Sequence, residues 1–181
     1  MTTGNIKTKN MVLTGILIAL GIVLPLAFHA IPNAGSIFLP MHLPVLFCGL
    51  VCGWSYGLLA GLATPLLSSI LTGMPPAPIL PGMLVELAVY GLVAGLLIRF
   101  VKSRSQTATV FIALIGAMLA GRVLAGLVNA LIFNLGTYSL QIWLSAFFIT
   151  ALPGIALQLV LIPALIFALR KAKLISLPTK Q

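Results

Sequence analysis

From Met11 to Leu169 the chain is a succession of apolar runs, each near the length that crosses a bilayer, with only short interruptions between them. About 20 predominantly apolar residues in a helix span the ~30 Å hydrocarbon core. Such runs leave two options, burial inside a large protein or exposure to lipid, and a chain of 181 residues has no interior for six of them. With 61% hydrophobic and 6% charged residues it also lacks the polar surface that a water-soluble fold needs. The reading is an all-α membrane protein of six transmembrane helices with short loops, over roughly Met11–Phe28, Pro40–Gly53, Gly57–Leu71, Pro81–Val101, Thr107–Phe133 and Ile142–Leu169. We expect one transmembrane domain, 1–181, with no room for a soluble catalytic domain. Residues 1–10 are expected as a polar cytoplasmic tail and 170–181 as a basic one. The first run has no convincing cleavage site and is expected as a retained helix.

The net charge of +9 is not a nucleic-acid signal, because nine of the ten basic residues collect at helix ends, Arg122 in the fifth span being the exception. Lys7 and Lys9 precede the first span, Arg99, Lys102 and Arg104 close the fourth, and Arg170, Lys171, Lys173 and Lys180 follow the sixth. If all three clusters face the cytoplasm, both termini are cytoplasmic and the span number is even. Outer loops then fall at 29–39, 73–81 and 134–141, and inner turns at Trp54–Ser55–Tyr56 and 102–106. The bilayer is a partner by composition, and the expected location is a bacterial plasma membrane, multi-pass.

Small residues and prolines add detail. Gly15 and Ala19 are one turn apart on the first span and would let another helix approach closely, with Gly21 off that face. Pro40 and Pro44 bracket the entry to a short second span, where prolines waste no hydrogen bond. Pro65 should disturb the third, with Ser68 and Ser69 placed to bond freed backbone carbonyls. Cys48 and Cys52, at i and i+4, have poor geometry for a disulfide and read as packing residues.

Polar residues inside the runs are few. Glu86 is the only acid in the chain, four residues beyond the proline-rich stretch Thr72–Gly82. An intramembrane carboxylate is costly unless it has a partner or a wet cavity. Tyr90 shares its helix face, and Arg122 and Asn129 share a face of the fifth span. Counted from the outer ends at ~1.5 Å per residue, Glu86 lies ~8 Å deep and Arg122 ~16 Å, a gap that a long arginine can bridge. Two readings stand. Glu86 and Arg122 form a buried ion pair pinning two helices, or Arg122 grips an anionic or carbonyl-rich solute through its planar donor fork while Glu86 and Asn129 orient it or touch the solute. His29, Asn33 and His42 read as loop hydrogen-bonders or pocket lining, and the chain offers too few carboxylates beside them for a metal site. Trp143 is an interfacial anchor or a stacking surface, and Asn134 and Gln141 are loop residues on the same side.

No phosphate-cradling Gly-x-x-x-x-Gly-Lys-[Ser/Thr] sequence is present, and a lone carboxylate offers neither a metal-binding acidic pair nor a proton relay. The chain is therefore read as a non-enzyme with no cofactor, one that binds a solute behind proline-rich loops. A small channel or a structural helix bundle stays open as an alternative.

Six short helices, the small-residue pair on the first span and the outer loops resemble the S components of energy-coupling-factor (ECF) vitamin transporters. The run Leu39-Pro-Met-His-Leu-Pro-Val-Leu-Phe-Cys-Gly-Leu, continuing through Pro65-Leu-Leu-Ser-Ser-Ile-Leu-Thr-Gly-Met-Pro-Pro, and the ending Ala151-Leu-Pro-Gly-Ile-Ala-Leu-Gln look like the branch that includes pantothenate S components. The resemblance implies a substrate-capture subunit of an ECF-type ABC importer. It would bind a vitamin from outside, topple in the membrane, and dock on a shared module of one transmembrane coupling protein and two ATPases, where ATP is hydrolysed. Gly15 and Ala19 occupy the positions of the family's Ala-x-x-x-Ala coupling motif, with Gly as a departure. One cation, one acid and several amides suit pantothenate first; cobalamin, folate or another vitamin stays open. The substrate-binding residues expected are Arg122, Asn129, Glu86, Tyr90, His42, Asn33 and Trp143.

Overall fold

The computed structural model of the chain describes residues 3–28, 33–101, 103, 105–133, 139–175 and 177. His29, Lys102, Arg104, Asn134 and Lys180, with the loop segments 29–32 and 134–138, lie outside the described residues. The elements are α1 (Thr3–Ala27), α2 (Ala34–Phe38), α3 (His42–Cys52), α4 (Trp54–Thr72), α5 (Leu80–Phe100), α6 (Gln106–Val128), α7 (Leu140–Leu144) and α8 (Leu152–Lys171). A π turn, Asn129–Phe133, prolongs α6, and another, Ser145–Ile149, prolongs α7. Six helical stretches are long and apolar enough to cross a membrane: Ile6–Ala27, Ala34–Cys52, Trp54–Thr72, Leu80–Phe100, Gln106–Ile132 and Leu152–Lys171. The six expected spans are all present.

Three boundaries differ from expectation. α1 begins at Thr3, so most of the stretch expected as a tail is helical and continuous with the first span. The turn expected at Trp54–Ser55–Tyr56 is instead the single residue Gly53, and Trp54 already starts α4. Gly53 has φ +98°, a backbone state a side chain rarely tolerates, and it alone reverses the chain. The expected sixth span, Ile142–Leu169, is split at Thr150–Ala151, and Trp143 sits on the separate α7. Pro153 explains the break, since a proline within the first two residues of α8 starts a helix and cannot continue the preceding one. Ser68 and Ser69 also act differently from expectation. The Ser69 hydroxyl donates to the Pro75 carbonyl (2.9 Å), tying α4 to the proline-rich loop, and Ser68 lies 3.5 Å from the Thr72 hydroxyl.

The core is built on α3 and α5. Beyond His42, α3 is apolar all round and nearly wholly buried, as such a helix must be. α5 packs most heavily on α4 and α6. Small residues set these distances: a Cβ on Gly57 would run into the Gly91 carbonyl and the Gly49 backbone, so α3, α4 and α5 meet backbone to backbone. Cys48 and Cys52 are free and buried in this core.

α1 is peripheral. Thr14, Leu17 and Gly21 face α3 and α4, while Met11, Gly15, Ile16, Ala19, Leu20 and Val23 are exposed. The Lys9 ammonium donates to the Leu174 carbonyl (2.7 Å) and the Tyr56 hydroxyl to the Lys7 carbonyl (3.4 Å), gathering the basic residues of both terminal segments at one end of the bundle. The opposite end carries α2, the proline-rich loop and α7, and the polar site lies just inside it.

Candidate functional site

The site begins with the crossing of α5 and α6. On α5 the buried positions Gly82, Glu86, Tyr90 and Ala94 recur every four residues and make one stripe. A Cβ on Gly121 would strike the Tyr90 ring and approach the Glu86 carbonyl, so this glycine lets α6 lie directly on that stripe. The next residue, Arg122, is thereby carried into the buried crossing.

Arg122 is 2% exposed and Glu86 7%. The Arg122 Nε–H donates to the Tyr90 hydroxyl at 2.7 Å, and the same nitrogen lies 3.9 Å from Glu86 Oε1. On its other side Glu86 Oε2 lies 3.6 Å from His42 Nε2. Both separations exceed hydrogen-bond length, and the Arg122–Glu86 separation allows charge attraction. The His42 ring also meets the Tyr90 ring edge-on at 5.4 Å. By sequence His42 lies beside the first outer loop, at the entry to the second span, and among the expected substrate-binding residues. It enters the cluster because α3 starts below the end of the bundle, at the level where Met41 and Val45 pack on Leu87.

The segment after α6 closes over the arginine. Phe148 presents its ring 5.5 Å from the guanidinium carbon, a cation–π arrangement. The Trp143 indole N–H donates to the Arg122 carbonyl at 3.1 Å, and the indole rests on Gly126, where a Cβ would collide with it. Beside this contact, Val123, Leu127, Ala130, Leu140 and Trp143 line a cleft of about 270 Å³. Trp143 is thus fastened to α6 by a backbone bond.

The remaining expected residues fall differently. Asn129 is half-buried, donates to the Ala125 carbonyl at 2.8 Å, and packs on Gly82 across the helix interface. Asn33 is exposed at the head of α2 with φ +58°, and Gln141 is exposed on α7. Neither is drawn into the cluster. Phe148 and Gln158 were not assigned to the site by sequence. Phe148 gives no signal in a run of apolar residues, whereas Gln158 is an amide within the apolar stretch of α8 and is wholly buried. Among the described residues, no three of His, Cys, Asp and Glu gather as metal ligands.

The arrangement leaves donors unspent. Arg122 Nη1 is buried without a hydrogen-bond partner, as are both ring nitrogens of His42. The guanidinium is held through Nε, and Nη1 is a buried donor without a partner, a group that a carboxylate or carbonyl oxygen could pair.

A family model described as "ECF transporter, substrate-specific component" matches residues 9–177, nearly the whole chain. Neither the curated proteins nor the solved structures compared with the chain contain a match.

Proposed function

The chain belongs to the substrate-specific components of ECF transporters, transport subunits of the cell membrane that capture a substrate for an ECF importer, and from that premise we propose that its substrate is a small singly anionic vitamin, with pantothenate ranked first. The observation that carries this reading is Arg122, buried and positioned by Tyr90 and Glu86, with Nη1 unpartnered. Glu86 offsets the cost of burying the cation, and a solute carboxylate would take the free edge of the fork. Pantothenate supplies one carboxylate, one amide and two hydroxyls, which suit a site with one cation and several uncharged polar groups. Asn129 supports the packing of α6 on α5 two turns from the arginine, Trp143 and Phe148 cover Arg122, and Asn33, exposed at the head of α2, would meet the solute as it enters.

Docking is assigned to α1. Gly15 and Ala19 are exposed, and no atom lies within 4 Å of where a Gly15 Cβ would be. This flat strip is the proposed contact for the coupling protein, whose two ATPase partners would hydrolyse ATP. Both termini and the basic end are assigned to the cytoplasm by the positive-inside rule.

Uptake of radiolabelled pantothenate into cells carrying the chain, with and without the coupling module, tests the reading. Module-dependent uptake is the expected result. Uptake of folate or cobalamin but not pantothenate would overturn the substrate assignment, and uptake without any module would contradict the docking role.

A further inference from the structure

Unpartnered buried polar atoms are candidate recognition groups in a membrane protein, because each costs free energy until it is paired. Among the described residues these side-chain atoms are His42 Nδ1 and Nε2, Arg122 Nη1, Gln158 Nε2 and Oε1, and Thr64 Oγ1. All but the last come from α3, α6 and α8. Each of these helices packs on the other two. Thr64 lies apart, against Gly21 on the α1–α4 interface.

Gln158 is the residue in this set that the ion-pair network leaves unexplained. It is 0% exposed, and neither end of its amide has a hydrogen-bond partner. It sits on the buried face of α8 with Gly154 and Ile162. Gly154 is pressed against the backbone of Ile37 and Phe38, so α2 closes the space above it, and Ile162 joins the core shared with α3 and α6. Gln158 lies six residues into α8 and Glu86 six into α5, ~9 Å from the start of each. A glutamine kept only for packing would be replaced there by leucine or methionine at lower cost.

We propose that Gln158 is a substrate-recognition residue that reads an amide, or another group pairing a donor with an acceptor, in a solute whose carboxylate is taken by Arg122. This deepens the proposed function and rests on it. The chemistry follows from the inventory: a primary amide offers N–H and C=O side by side, and the group that satisfies both is another planar amide. Arg122 and Gln158 then divide recognition between an anionic end and an amide, and a plain short-chain carboxylate would satisfy only the first.

The test compares wild type with Gln158→Leu, using pantothenate and its isosteric ester, in which oxygen replaces the amide N–H. A buried hydrogen-bonding group left unpaired lowers affinity by about 5- to 150-fold. Wild type should prefer pantothenate to the ester by a factor in that range, whereas Gln158→Leu should bind pantothenate more weakly by a similar factor and lose the preference. Native pantothenate affinity in Gln158→Leu would overturn the inference. A second arm needs no solute: ligand-free Gln158→Leu should melt at or above the wild-type temperature, because an unsatisfied buried amide has been removed. A melting temperature several degrees lower would show that the amide has a structural partner and would also overturn the inference. If wild type binds no pantothenate, the substrate reading of the previous subsection fails, and the ligand-free arm still decides the role of Gln158.

Discussion

Replacing Arg122 by Met removes the guanidinium while keeping most of the side-chain volume. Two losses follow, and they separate. The first is structural. At 3.9 Å and an effective dielectric near ~20, the attraction between Arg122 and Glu86 is on the order of 4 kcal/mol before desolvation. Removing one member strands the other as a buried charge, at a cost of roughly 3–5 kcal/mol. Glu86 would keep His42, 3.6 Å away. Adding Glu86→Gln removes the stranded charge and should recover most of the lost stability. The second loss is in recognition. If the free Nη1 edge grips the solute carboxylate, both variants lose a desolvated charged hydrogen bond worth roughly 2–5 kcal/mol, about 30- to 5,000-fold in affinity. Arg122→Lys should also bind weakly, since a point charge does not reproduce the planar fork. Titration calorimetry with pantothenate on samples of verified thermal stability separates the two. Near-native affinity in the stable double variant would refute the direct contact and leave Arg122 as a helix-pinning partner of Glu86.

Three further outcomes are expected. Gly15→Leu or Ala19→Leu should abolish module-dependent uptake and leave solute binding by the isolated protein unchanged, because both positions are exposed; normal uptake by both variants would move the contact elsewhere. Cysteines introduced at Ser36, Ala77 and Ser139, all exposed, should be labelled from outside intact cells, and labelling of Ser103→Cys from outside would overturn the orientation. Gly57→Val should lower the melting temperature in detergent, at a cost of about 1–3 kcal/mol, since its side chain must displace the Gly91 and Gly49 backbones; an unchanged melting temperature would contradict the close packing of α3, α4 and α5.

The six spans were legible because a bilayer imposes both a length and a composition, and Leu80–Phe100 and Gln106–Ile132 follow those constraints closely. The turns were less so. Nothing in Gly53 marks it as a complete reversal until its φ of +98° is seen, since Trp54–Ser55–Tyr56 next to it has equally turn-like chemistry. Pro153 did carry a signal for the break before α8, but the surrounding residues are apolar on both sides and concealed it. In the site, the pairing of Glu86 with Tyr90 and the approach of Arg122 followed from helical periodicity and depth. The partnership of His42 with Glu86 did not, because it depends on how far below the bundle end α3 begins. Trp143 stood out as an aromatic, yet its bond to the Arg122 carbonyl depends on Gly126 admitting the indole. Asn33 shows the reverse: it is polar and near in sequence, and its left-handed backbone leaves it exposed at the head of α2.

In the proposed function a solute carboxylate is bound inside this bundle at the unpartnered Nη1 of Arg122. Native mass spectrometry of the detergent-purified protein tests it without prior choice of vitamin, by ejecting and weighing whatever small molecule co-purifies. The account predicts a single non-lipid adduct whose released mass and fragmentation identify a carboxylate-bearing vitamin, present on wild type and absent from the Arg122→Met, Glu86→Gln double variant. Equal retention of the adduct by that variant, or an adduct without a carboxylate, would contradict it.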